Sequence, residues 1–303
     1  MPSSAESFAE FSAAYDALLA RWPAGTDDLD VPTPYGTTRI HAHGPAQAPP
    51  LLLLPGGGAT GAVWFRTARA LGAGHRVLAV DLPRDAGLSV TEGRPLRTPA
   101  DLMDWLDALL DGLGVDRAQL LGHSYGAWIA LSYALHRPDR VDRLVLLDPT
   151  QCFAGFRLGF LLRSLPVLVR PTAARALAYL DRETAGTDTD PEWKRLYALG
   201  AEAFAGRRPV VGRRPDAAGL HAPLLVLFAA RSGAHRAEDV AARARRTVPH
   251  ARVETLPGLT HFAMPTALPA DAEHRIAEFL AAAAGGAAAA AGEGAADGTA
   301  RTA

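Results

Sequence analysis

Short apolar runs recur at residues 51–54, 77–80, 118–121, 144–147 and 224–228 of this 303-residue chain, and they constrain its fold more than any other feature. A strand with one wetted face would alternate apolar and polar residues. Runs of four or five residues that stay almost wholly apolar predict strands buried on both sides. Between them, apolar residues recur at helical spacing near 61–72, 98–113 and 125–136, with Thr98 and Pro99 placed as cap and first residue of the second helix. Strand and helix in alternation predict an α/β fold on a mostly parallel sheet.

The flanks follow other patterns. Phe8, Phe11, Tyr15, Leu18 and Leu19 predict a leading amphipathic helix over 7–21, and 29–43 reads as a strand hairpin around Pro34, Tyr35 and Gly36. The alternation lapses between about 150 and 220, where helical patterns at 156–164, 172–181 and 191–204 come without a clear strand. The expected organisation is a lead-in at 1–27, a main domain at 28–283 with a helical insertion at about 150–220, and a tail at 284–303. That tail is Ala/Gly-rich and is expected to be disordered.

Composition excludes several chemistries. The formal net charge of −1 leaves no electrostatic footprint for nucleic acid or an anionic membrane. A single cysteine, Cys152, rules out an internal disulfide and a Cys-cluster metal site. Lys194 is the only lysine, which nearly removes the chemistries that need one, including the P-loop and the Tyr-x-x-x-Lys site of short-chain dehydrogenases. The first ten residues lack a basic n-region and an apolar h-region, and no apolar run reaches a membrane-spanning length. A cytoplasmic, soluble protein is the expectation.

After the first buried strand comes a glycine loop in which Gly56, Gly58 and Gly61 satisfy G-x-G-x-x-G, with Asp81 twenty residues on. That is the spacing of a dinucleotide-binding fingerprint, in which bare backbone approaches a pyrophosphate and the acid holds a ribose. The same glycines also suit a loop that merely needs positive φ, or one that presents N–H groups to an oxyanion. The rest of the chain has to decide among these.

Gly122, Ser124 and Gly126 form G-x-S-x-G between an apolar run and a helical segment. A serine on a sharp strand-to-helix turn is held in a strained conformation, and only small neighbours let the backbone fold that tightly. The helix that starts there aims its N–H groups at developing negative charge. The serine needs a base, and His261 is the best placed. It lies in a loop marked by Pro257 and Gly258, after the strand-like 252–255 and before the last helix. His41 and His43 fall in the hairpin, His136 in a helix's last turn, and His123 at the variable position of the elbow.

At this point the chain resembles the α/β-hydrolase family over roughly residues 28–283. The resemblance implies a mostly parallel eight-stranded sheet with a helical lid at the insertion. It also implies oxyanion donors at the backbone N–H groups of Gly57 and Tyr125. Pro55 stands where the family usually has His. The family's usual acid position, after the strand at 224–228, is occupied here by Ser232, which cannot act as a carboxylate. Asp148 ends the neighbouring strand, a place some members use, and becomes the expected acid; Glu238 and Asp239 read as first-turn helix acids. A Ser–His dyad without an acid stays open.

The expected activity is that of a carboxylesterase-like serine hydrolase, forming an acyl-enzyme on a small, largely apolar substrate, without metal or organic cofactor. Trp64, Phe153, Phe156 and Phe262 are expected to line its pocket. Two other classes remain as alternatives: a binding protein that keeps the fold without catalysis, and, with less support, a dinucleotide-binding Rossmann enzyme.

Overall fold

A computed structural model describes residues 4–282. In chain order the elements are α1 (Ser4–Leu19), β1 (Asp27–Thr33), β2 (Gly36–His43), β3 (Pro50–Leu54), α2 (Phe65–Leu71), β4 (Arg76–Val80), β5 (Val90–Thr91), α3 (Pro99–Gly112), β6 (Ala118–His123) and α4 (Tyr125–His136). There follow β7 (Val141–Leu147), α5 (Leu158–Val169), α6 (Ala173–Glu183), α7 (Pro191–Ala203), β8 (Leu224–Ala229), α8 (Ala237–Thr247), β9 (Arg252–Leu256) and α9 (Ala270–Ala281). The sheet runs β1-β2-β4-β3-β6-β7-β8-β9, antiparallel at the β1–β2 and β2–β4 pairings and parallel from β4 to β9. The family resemblance implies eight strands. The ninth, β5, pairs only Val90 and Thr91 with the start of β2, too short to leave a pattern in sequence.

The apolar runs behave as their composition requires. Leu52, Leu54, Leu120, Leu144, Leu146 and Val226 face one layer, built with α3, α4 and α8. Their neighbours Leu51, Leu53, Leu121, Val145, Leu147 and Leu227 face the other, built with α1, α2 and α9. Because successive side chains point to opposite faces, covering both leaves no room for polar residues in the run. Thr98 and Asp101 form a reciprocal capping box at the start of α3, with Pro99 at its first position.

Helices α5, α6 and α7 make up the insertion between β7 and β8, and the leading helix is tied to it. The Phe11 and Phe204 rings meet edge-on at 4.8 Å, and Arg21 pairs with Asp190 at 2.5 Å. Among the described residues no helix is long and apolar enough to cross a membrane. The tail at 284–303, expected to be disordered, lies outside the described residues.

Candidate active site

The turn between β6 and α4 holds Ser124 at φ 53° and ψ −111°, a left-handed conformation that a non-glycine residue adopts only under constraint. The constraint comes from packing. A Cβ on Gly126 would drive into the Leu54 carbonyl oxygen, and one on Gly122 into that of Gly126. Ser124 N donates to Leu147 O at 3.1 Å, strapping the elbow to the end of β7. The glycine spacing is therefore a requirement of close backbone approach.

His261 sits in a single 3-10 turn after β9 and is buried. Its Nε2 lies 2.8 Å from Ser124 Oγ and its Nδ1 2.6 Å from Asp148 Oδ2. Asp148 is wholly buried just beyond β7, at φ 40°, with its N–H bonded to Leu227 O at 2.8 Å. Burial works against ionisation of Asp148. The charge and hydrogen bond of His235, and then those of His261, nevertheless hold its carboxyl well below the usual carboxylate range.

Two further side chains, neither marked as a partner by local sequence, bond to Asp148. His235 Nε2 reaches Asp148 Oδ1 at 2.9 Å, an oxygen that also accepts from Ala229 N at 3.0 Å. Ser232 Oγ donates to Asp148 Oδ2 at 2.7 Å. Position 232, the family's usual place for the acid, thus supplies a donor to the acid that is present. The signal available was a Ser and a His following a buried strand, which by itself names no partner. Glu238 and Asp239 lie in the first turn of α8, as expected.

His123 is a second case. Burial foremost, and next the charge of His261, push its pKa down to about 3, so its imidazole is neutral. Its Nε2 meets the His261 carbonyl oxygen at 3.0 Å, and the neutral ring can donate there. The elbow's variable position thus buttresses the loop that carries His261.

The glycine loop faces its own acids. Gly61 N donates to Asp81 Oδ1 at 2.6 Å, and Gly58 N lies 3.1 and 3.0 Å from the two oxygens of Asp85. Asp81 accepts further from Leu88 N and the Tyr15 hydroxyl. An acid committed to three internal donors has no role for a ribose, and the dinucleotide reading loses its fingerprint. Burial raises the Asp85 carboxyl to about 6, against the pull of its hydrogen bonds from Gly58 and Ala86. Gly57 and Tyr125 border the cavity beside Ser124, and a methyl at Gly57 would lie 3.7 Å from Tyr125 Cβ.

The cavity over Ser124 measures about 440 Å³. Phe156, Phe160, Tyr179, Tyr197 and Phe262 line it, together with Trp128, and among the described residues no Asp, Glu, Lys or Arg does. Phe156 and Phe262 are where sequence placed them. Trp64 and Phe153 are not. Trp64 is wholly buried in the layer of α1, α2 and α9, and Phe153 packs against Phe228 on the opposite side of the sheet. Both are aromatic residues near the site, but the direction of each backbone turn sends them into the two cores.

The profile of the alpha/beta hydrolase family matches residues 51–282. Carboxylesterase YbfK of Bacillus subtilis (strain 168) is 36% identical over 151 residues, covering 50% of this chain and 51% of that protein. The uncharacterized carboxylesterase nap of the same organism is 30% identical over 146 residues, 48% of each chain. In sequence, then, the chain spans about half the length of these relatives. The solved structure of carboxylesterase CesB (YbfK) from Bacillus subtilis superposes with a TM-score of 0.84 at 28% identity, covering 91% of this chain and 99% of that one. Naproxen esterase from Bacillus subtilis has the same fold, with a TM-score of 0.82 at 22% identity over 92% and 99%.

Proposed function

The chain belongs to the alpha/beta hydrolase family, and on that premise we propose that it is a carboxylesterase acting through an acyl-enzyme on an uncharged, apolar ester. The observation that carries this reading is the continuous hydrogen-bond path from Ser124 through His261 to Asp148 beneath the aromatic cavity.

In the proposed reaction Ser124 Oγ attacks the ester carbonyl while His261 Nε2 takes its proton. Asp148 accepts the Nδ1 hydrogen bond, fixing the imidazole tautomer and stabilising the imidazolium that forms. The oxyanion is received by the N–H groups of Gly57 and Tyr125, the second reinforced by the N-terminus of α4; losing such a donor costs roughly 3–4 kcal/mol of transition-state stabilisation. His261 then protonates the departing alkoxide. Water, deprotonated by the same nitrogen, attacks the acyl carbonyl, and collapse releases the carboxylic acid and restores Ser124. The serine at the elbow does not suit reactions that need a carboxylate nucleophile.

A lining without charged side chains favours a neutral substrate, and the volume suits an ester with one aromatic or branched group. The Asp148–His261 contact supports this reading over a binding protein that keeps the fold without catalysis.

The test joins labelling to turnover. A fluorophosphonate should modify the wild-type chain and not Ser124→Ala, and a series of p-nitrophenyl esters of rising acyl length should be hydrolysed up to a size limit. Labelling that survives Ser124→Ala, or a folded protein inert to the probe and to every ester, would overturn the proposal.

A further inference from the structure

Helix α5 is apolar on two sides. Phe160 and Val167 border the cavity, the Phe160 ring standing 5.9 Å from that of His261. The other stripe, Leu158, Leu161, Leu162, Leu165, Leu168 and Val169, repeats at i, i+3, i+4 and i+7 and is exposed to between 43% and 74%. These are six of the ten large apolar side chains exposed among the described residues. Leu161 and Leu168 also border the cavity, as does Val211, which is 76% exposed. The bare stripe therefore runs into the cavity mouth. A concentration of this kind marks an interaction surface.

Charge indicates what covers it. Residues 149–180 and 203–215 contain eight arginines and no acid, in a chain whose formal net charge is −1. Arg163 is engaged by Glu183, and Arg207 is half-buried and turned toward Asp85. Arg157, Arg170, Arg175, Arg208, Arg213 and Arg214 are exposed, and among the described residues none of them forms an ion pair. Arg157 and Arg170 are the residues that flank α5 at its start and end. The balanced total, which predicted no membrane partner, conceals a basic rim around an apolar face.

We propose that this face docks on an anionic lipid bilayer, with the α5 stripe at the headgroup–acyl boundary, the exposed arginines on headgroup phosphates, and the cavity mouth opening toward the lipid. A second copy of the chain suits the face less well. A symmetric pairing through α5 would set one basic rim against its equal. The inference concerns the cavity mouth and does not depend on the chemistry at Ser124.

The experiment is sedimentation of the full-length Ser124→Ala protein, which leaves lipid intact, with phosphatidylglycerol–phosphatidylcholine vesicles and with phosphatidylcholine vesicles alone. Partitioning should be at least about tenfold stronger onto the anionic vesicles and should weaken with added salt. It should fall about tenfold in Leu162→Glu/Leu165→Glu and again in Arg170→Glu/Arg213→Glu, with thermal unfolding unchanged, since these side chains are exposed and do not line the cavity. No partitioning, equal partitioning onto both vesicle types, or partitioning unaltered by the substitutions would overturn the proposal. So would a concentration-dependent dimer that Leu162→Glu/Leu165→Glu dissociates, which would assign the face to a second copy. Ester turnover is not read in this assay, so its outcome and that of the esterase test stand apart.

Discussion

Ser232 Oγ donates a 2.7 Å hydrogen bond to Asp148 Oδ2, the same oxygen that faces His261 Nδ1. The residue at the expected acid position thus supports an acid delivered by the neighbouring strand. Removing a hydrogen bond to a buried carboxylate costs about 1.5–3 kcal/mol. Ser232→Ala should therefore lower stability by that amount in chemical denaturation and reduce turnover modestly, rather than leave both untouched as position alone would suggest. A variant identical to wild type in both would show the contact to be idle.

Asp148→Asn should reduce kcat roughly ten-thousand-fold while Ser124 and His261 stay in place, because an amide can hold the wrong imidazole tautomer. Adding Ser232→Asp should restore part of that loss, since a carboxylate there starts within hydrogen-bond reach of the same oxygen position. Near-wild-type turnover in Asp148→Asn would move the acid's role elsewhere.

His235→Ala removes a buried donor to Asp148 Oδ1 and leaves Ala229 N on that oxygen. Stability should drop by about 1–3 kcal/mol. Turnover should fall far less than in Asp148→Asn, because His235 acts through the acid and does not face the cavity. His235→Gln, which can keep a donor, should recover stability. Equal melting of His235→Ala and wild type would count against this account.

Asp85 gives a pH dependence with a definite sign. Its folded pKa of about 6 lies above the ordinary carboxylate value. Its contribution to stability is therefore fully present below about pH 4 and is lost as pH rises through about 6. Asn does not titrate, so the stability of Asp85→Asn relative to wild type should rise from pH 4 to pH 7 by up to roughly 3 kcal/mol. A difference that is flat across this range would mean that burial does not perturb the carboxyl.

Two phenylalanines separate core from pocket. Phe153→Ala should cost about 3–5 kcal/mol of stability with little change in KM, as expected for a ring buried in the core. Phe156→Ala should leave stability closer to wild type and raise KM for aromatic esters, since its ring lines the cavity and stacks on Phe160 at 5.6 Å. The reverse pattern would misplace both residues.

What the sequence determined by itself is local and follows from covalent geometry. A short run with no polar member, alternating along the chain with segments of helical spacing, fits a strand covered on both faces, and Leu51 to Leu54 is one. Two glycines flanking a serine after such a run announce a turn too tight for side chains, so Ser124 was legible, and the loop form around Pro257 and Gly258 made His261 legible too. Asp148 could be found because parallel strands end on one edge, so an acid at the end of β7 falls near whatever the neighbouring strands present.

Tertiary structure decided everything that depends on which way a side chain turns once the chain closes on itself. His235 meets Asp148 across 87 positions of sequence, and no local spacing records such a contact. Trp64 and Phe153 have the composition of pocket residues, yet their turns send them into opposite cores. The α5 periodicity predicts a helix but carries two apolar faces. Only the packing of α5 over the cavity fixes which face is covered by protein and which is left to meet something else.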